Sequence, residues 1–314
     1  MRKTSQQLVA QALVPDAVAD PRLAATLELL HDRYGDAIAA ILLYGSYLRG
    51  QSDAMLDLYV LLDRYQGALP NRWQVAGNWL LPPNVYHLFP GNDAGDPSAT
   101  VAKYATVRLD QFRRQIERGF HSYFWARFAQ PCQLLYARDD AVRLQVSACL
   151  RAAAVRFIQL TLPISDERFD AAALWVTGLR QTFACELRAE RANRPHQLYA
   201  AGSYYYDQLT SALLSEQFPQ VETLADGGYH LQLPKWRRLA ARLGWLSRKV
   251  LGKPWSVARL VKGALTFQQP LEYVLWKIER HSGIKAEPTP LQRRYPLLFG
   301  WSLLWRIRRR GGFR

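Results

Sequence analysis

Three residue classes are scarce in this chain, and each shortage excludes something. Cysteine occurs only at 132, 149 and 185, never as a CxxC pair. That rules against a disulfide framework or a zinc knuckle and suits a reducing compartment. Long apolar runs are missing: no stretch approaches the 18 consecutive apolar residues of a membrane-crossing helix. The N-terminus has no apolar signal core, and although its first acid is Asp16, the Arg/Ser enrichment of a transit peptide is thin. Acidic residues fail in one place above all. Residues 231–314 hold 19 Lys/Arg against 3 Glu, a net of +16, which leaves −1 for the first 230 residues of a chain whose total is +15.

What is present describes a globular protein. The chain has 314 residues, 49% hydrophobic and 21% charged, enough for a sizeable core in two domains. The basic last quarter calls for phosphate, either of nucleic acid or of anionic lipid. Its cations are interleaved with Trp236, Trp245, Trp255, Trp276, Trp301 and Trp305, and Trp prefers the membrane interface, which favours lipid over nucleic acid. The chain ends PLLFGWSLLWRIRRRGGFR. The apolar part, residues 296–305, would span about 15 Å as a helix, half of a bilayer core. It is therefore expected to lie on a membrane surface, with Arg306, Arg308, Arg309 and Arg310 reaching lipid phosphates.

Periodicity gives an α+β chain. Residues 1–37 read as helical, with Gly35 as a stop. Strands are expected at 39–44, 57–62, 85–89 and within TVAKYATVR, followed by a helix in LDQFRRQIERGF and a helix then a strand in HSYFWARFAQPCQLLYA. Helical periodicity dominates 140–215, LADGGYHLQLP reads as a turn with a short strand, and the last quarter is helical. A mixed-sheet domain over 1–138 is thus followed by a helical domain over 139–250 and a basic region over 251–314.

The chemistry centres on YGSYLRGQSDAMLDLYVLLD, residues 44–63. A strand ends in Gly45-Ser46, a polar loop follows, and the next strand begins near Asp57. This is the outline of a nucleotidyltransferase site: Gly45 lets a phosphate approach the backbone, and Ser46 offers donors at a helix start. Strand alternation puts Leu56, Leu58, Val60 and Leu62 on one, core-forming face, and Met55, Asp57, Tyr59 and Leu61 on the other. An Asp at the start of a buried strand is costly unless satisfied, and a divalent cation would satisfy it. Such sites usually carry Asp-x-Asp, yet Met55 stands at the first of those positions. Asp53 would help only if its loop doubles back.

Six fragments, in order, resemble one family. LLYGSYLRGQSDAMLDLYVLLD is similar to a Tyr-Gly-Ser turn followed by a strand with a single Asp after an apolar pair. PPNVYHL, AKYATVR and HSYFWARFAQPCQLL each resemble a family segment, and ALWVTGLRQTFACELR does so with Glu186 in place of Asp. SVARLVKGALT resembles a Ser-x-Arg-x-x-x-Lys-Gly-x-x-Thr motif and is the most specific of the six. The family is that of the mitochondrial-type phosphatidate cytidylyltransferases, peripheral CDP-diacylglycerol synthases also known as translocator assembly and maintenance proteins. The resemblance implies a nucleotidyltransferase-like sheet domain, a winged-helix-like helical domain and a C-terminal amphipathic helix on the membrane. It implies CTP and phosphatidic acid as substrates and Mg²⁺ as cofactor. By the same resemblance Asp57 holds the metal and Gly45 and Ser46 cradle the triphosphate. Lys103 neutralises phosphate charge with Tyr104 beside it, and Arg188, Arg259 and Lys262 serve CTP or the lipid head group. Glu186 is a further candidate metal ligand, with a helix salt bridge as its plainer role. The location implied is the cytoplasmic face of a bacterial inner membrane, or the matrix side in a mitochondrion. Two other functions fit the same residues: nucleotidyl transfer to RNA or protein through the basic quarter, and a non-catalytic lipid-binding homologue that has lost metal chemistry.

Overall fold

A five-stranded mixed sheet is the platform of this computed structural model, which describes residues 3–14, 20–50, 55–69, 72–88, 102–186 and 192–266 together with Thr289. Asp53, Arg188 and the apolar–basic tail at 296–314 lie outside the described residues. The strands are β1 (Ile38–Tyr44), β2 (Leu56–Leu62), β3 (Asn84–Leu88), β4 (Ala102–Arg108) and β5 (Gln133–Ala137), in the order β3-β4-β2-β1-β5. Only β2 and β4 run parallel; the other neighbours are antiparallel. These segments are rich in Ile, Leu, Val and Tyr, which suit a pleated buried surface, and they fall where periodicity expects strands.

The sheet is covered on both faces, more fully than the alternation of β2 alone implies. Leu56, Leu58, Val60 and Leu62 face a core that includes Leu30 and Tyr34 of helix α2 (Pro21–Tyr34), with Val75 of α3 (Arg72–Leu80) packed against it. Tyr59 and Leu61, on the face that carries Asp57, are fully buried as well. They join a larger core with α4 (Leu109–Arg118), α5 (Trp125–Phe128) and α6 (Asp140–Thr161). The same core continues into α7 (Ala171–Ala184), α8 (Arg194–Ala200) and α9 (Ser203–Gln217) and reaches Trp245 of α10 (Lys235–Thr266). A small three-stranded sheet, β6 (Arg168–Phe169), β7 (Glu222–Thr223) and β8 (Tyr229–His230), lies beside these helices in the order β6-β8-β7.

The first 37 residues hold two helices rather than one run. Helix α1 (Ser5–Ala12) starts at a Thr4–Gln7 capping box, and α2 starts at an Asp20 cap with Pro21 in its first turn. Helix α1 packs against α6 and α9, where Ser5 N–H donates to Glu216 at 2.7 Å and Glu216 pairs with Arg151 at 3.0 Å. Among the described residues no helix is long and apolar enough to cross a membrane.

Candidate functional site

One row of side chains crosses four strands at one end of the sheet. Tyr44 pairs with Asp57, Asp57 with Lys103, and Lys103 with His87. Residues in register on neighbouring strands share a face, so the row is continuous on the side of the larger core. Its members are half-buried, whereas the residues that follow Asp57 along β2 are all buried. The structure therefore brings Asp57 and Lys103 side by side.

Gly45 is what gives Asp57 its room. Its φ is +97°, a conformation that L side chains rarely adopt, and an added Cβ would stand 2.8 Å from Asp57 Oδ2. Ser46 opens the 3₁₀ turn Tyr47–Arg49, and the Tyr47 hydroxyl donates to Asp20 Oδ2 at 2.8 Å, tying this loop to the start of α2. The Asp20 carboxyl is held down to about 2 by its hydrogen bond with Arg22, so the tie stays ionised at any physiological pH. Gly45→Ala is expected to destabilise the fold by about 1–2 kcal/mol, from left-handed strain, and to displace the Asp57 carboxylate. Urea unfolding reads the first effect and divalent-dependent nucleotide binding the second; a variant equal to wild type in both would contradict this role for Gly45.

Above the row sits a residue that the sequence reading passed over. Arg127 Nη1 donates toward Tyr123, Tyr59 and Tyr44 hydroxyls at 3.2, 3.3 and 3.5 Å. Its guanidinium lies 4.4 Å from the Tyr123 ring centroid. The signal was there: an Arg inside YFWARFA, a run apolar enough to be core, has to find partners. Arg259 of α10 stacks on the same Tyr123 ring at 4.1 Å. Its Nε and Nη1 are shut off from solvent with no hydrogen-bond partner among the described residues. Burial pushes Arg259 below its ordinary value, though a guanidinium stays charged. Burial raises Tyr59. Burial also acts to raise Tyr123, but Arg127, a hydrogen bond with Tyr59, Arg259 and Lys103 outweigh it and hold that phenol below its usual range.

Helix α10 reaches this place through a close crossing. A Cβ on Gly252 would stand 2.3 Å from the Cys185 carbonyl oxygen, so only glycine lets α10 pass over the end of α7. His121 Nε2 lies 3.2 Å from the Gly252 carbonyl, and its Nδ1 accepts from Tyr123 N–H at 3.3 Å. Burial lowers the His121 pKa, and the neutral tautomer with hydrogen on Nε2 satisfies both contacts. Glu186, just beyond α7, is close enough to favour the charged forms of Arg127, Arg259 and His121. It thus sits among the arginines, which fits its plainer role as an ion-pair partner.

Two assignments change with the structure in hand. Tyr104 is fully buried on the opposite face of β4 from Lys103; it stacks on Tyr86 and shares a 3.1 Å hydrogen bond with Tyr34. Strand alternation sends neighbours to opposite faces, so Tyr104 is a core residue and not a nucleotide contact. Lys262 donates to the carbonyls of Leu81 and of Pro83, the latter at 2.9 Å. It fastens α10 to the chain entering β3, away from the Asp57 row.

Burial, with Arg259 nearby, brings Lys262 down to about 7 from an ordinary 10.5. Between those values the unfolded chain holds a proton that the folded chain has released, so stability rises with pH across that window. Going from pH 7 to pH 9 is expected to stabilise wild type by about 2 kcal/mol relative to Lys262→Met. Urea midpoints at the two pH values measure this, and identical slopes would remove the assignment.

The arrangement gathers three cations, Lys103, Arg127 and Arg259, against the two carboxylates Asp57 and Glu186. Arg127 already disfavours the charge on the partly desolvated Arg259, and a bound polyanion would relieve that repulsion. For a divalent cation the donor set is small. Among the described residues no group of three or more His, Cys, Asp or Glu could hold a metal. Asp57 with phosphate oxygens and water is the set that remains, and Mg²⁺ is commonly bound by one or two carboxylates plus substrate phosphates. The space that Gly45 leaves against Asp57 Oδ2 is compatible with that. Neither protein-family models nor curated proteins match the sequence.

Proposed function

We propose that the chain is a peripheral phosphatidate cytidylyltransferase, transferring CMP from CTP to phosphatidic acid with release of pyrophosphate. The observation that carries this reading is the Asp57–Lys103 pair on adjacent strands, with Lys103 and Arg259 both near Tyr123 and Arg259 Nε and Nη1 buried without a hydrogen-bond partner among the described residues. That is one carboxylate able to hold a cation beside a cationic wall able to hold phosphates. The fold proposed is a nucleotidyltransferase-like sheet domain with a winged-helix-like helical domain. The β6-β8-β7 sheet beside α6, α7 and α9 supports the latter.

In the reaction, an oxygen of the lipid phosphate forms a bond to the α-phosphorus of CTP, and the bond from that phosphorus to the β-phosphate bridging oxygen breaks. The nucleophile is already ionised, so positioning and charge neutralisation carry the catalysis rather than a strong base. Lys103 and Arg259 neutralise the phosphates. Arg127 orients the Tyr44, Tyr59 and Tyr123 hydroxyls and adds positive potential. Gly45 and Ser46 bring backbone close to the triphosphate, and Asp57 would hold Mg²⁺. When bound, that ion offsets charge on the α- and leaving phosphates. Arg188 and the tail at 296–314 complete the proposal from sequence alone, the tail holding the enzyme on an anionic membrane surface.

The test is radiolabelled CTP with phosphatidic acid vesicles and Mg²⁺. Label is expected in the lipid phase, with stoichiometric pyrophosphate. Label on added RNA or on protein would replace the lipid with another acceptor. Mg²⁺-independent CTP binding with no transfer to any acceptor would mark a non-catalytic homologue.

A further inference from the structure

Helix α10 carries two stripes, and the site uses one. Arg238, Trp245, Arg248, Gly252 and Arg259 recur at intervals of three, four or seven residues and turn inward. Trp245 is buried and its indole N–H donates to the Leu160 carbonyl at 3.0 Å. Arg238 reaches the Ser165 carbonyl at 2.8 Å and Arg248 the Phe120 carbonyl at 3.2 Å. Trp236, Leu239, Leu243, Leu246, Val250 and Val257 recur with the same spacing and are all exposed, Trp236 at 65% and Val250 at 62%. At 100° per residue the two stripes lie about 160° apart. An apolar seam along much of a 32-residue helix, about 48 Å long, is left facing outward.

We infer that this outer stripe docks on an anionic bilayer surface, with α10 lying in the plane of the interface. The charge pattern selects that occupant. Helix α10 holds nine Lys/Arg and no acidic residue. Lys235, Arg242, Lys249 and Lys253 run along one border of the apolar seam, the arrangement of an interfacial helix. A second copy of the chain would set the same cations against one another, without the opposing acids that pair coiled-coil helices. Nucleic acid would meet a seam that is mostly aliphatic, with little to stack on. The seam lies on α10 (Lys235–Thr266) and is distinct from residues 296–314. Docking through it would place Arg259, on the opposite face of the same helix, about one helix diameter, some 10 Å, from the lipid. The inference does not depend on the reaction proposed above, and its test needs no nucleotide.

The three native cysteines are buried, so a Cys introduced on the surface of the full-length chain can be labelled selectively with an environment-sensitive fluorophore. Leu246→Cys reports on the seam. Leu144→Cys, on an exposed position of α6, is the control. With phosphatidylcholine vesicles containing about 30 mol% phosphatidylglycerol, the probe at 246 is expected to shift to the blue and to be quenched by nitroxide lipids, while the probe at 144 does neither. In the full chain, Leu243→Glu/Val250→Glu is expected to lower vesicle partitioning about tenfold or more with an unchanged melting curve, both side chains being exposed. A probe at 246 that ignores vesicles overturns the proposal. So does unaltered partitioning of the double variant. A shift at 246 that follows protein concentration, with the chain sedimenting as a dimer, would give the seam to a second copy and overturn it too, and a response to RNA instead of vesicles would do the same.

Discussion

Asp57→Asn is expected to lower the rate of nucleotidyl transfer at least 100-fold, about 2.7 kcal/mol in barrier, while the fold survives. The substitution removes one negative charge and almost no volume. The side chain is half-buried near the start of β2, beside Lys103 and against the gap left by Gly45, so stability should change by no more than about 1 kcal/mol. Binding of CTP without a divalent ion should be kept or strengthened, because a carboxylate facing the phosphates has gone. The Mg²⁺ dependence of that binding should disappear. The opposite responses with and without metal separate a ligand role from simple misfolding. A variant that retains more than about a tenth of the wild-type rate would show that Asp57 is not the metal ligand.

Replacing Arg127 should have the next largest effect, and its signature is different. The guanidinium serves three phenols at 3.2–3.5 Å through one nitrogen. Arg127→Met leaves those hydroxyls short of a donor, at about 1–3 kcal/mol, and removes a cation from beside Arg259. The kcat/KM for CTP should fall about 100-fold. Arg127→Lys should recover less than a tenth of that loss, since an ammonium has the charge but not the planar fork. A readout apart from activity comes from Tyr123. Arg127, a hydrogen bond with Tyr59, Arg259 and Lys103 together hold its phenol below the usual range against burial, so alkaline titration of tyrosinate absorbance should show the Tyr123 transition moving upward in Arg127→Met. If activity falls but that titration stays in place, Arg127 acts on the fold and not on the electrostatics of the site.

Much of the local frame was legible in the sequence. The apolar runs of β1, β2 and β4 appear where period and composition put them, and alternation separates Leu56, Leu58, Val60 and Leu62 from Asp57 and Tyr59. The same rule, applied to AKYATVR, would have sent Tyr104 to the core side as soon as Lys103 was placed on the other. Arg127 was visible as a charge inside an aromatic run, although nothing local said which hydroxyls it would meet. The helical reading of 1–37 missed a division, because Asp20-Pro21 is a helix start and not a mid-helix pair.

By itself the sequence determined the mixture of strands and helices, the strand that carries Asp57, the glycine turn before it and the concentration of positive charge in the last quarter, because each of these is written in residues near one another along the chain. The tertiary structure alone decided which distant groups share a site. Arg259 meets Tyr123 because Gly252 allows α10 to cross the end of α7 at backbone contact distance. Lys262, from the same motif, is spent on the carbonyls of Leu81 and Pro83. Which face of a basic helix turns inward depends on the packing partner that covers it. That partner is set by contacts more than a hundred residues apart in the chain, for which local periodicity carries no signal.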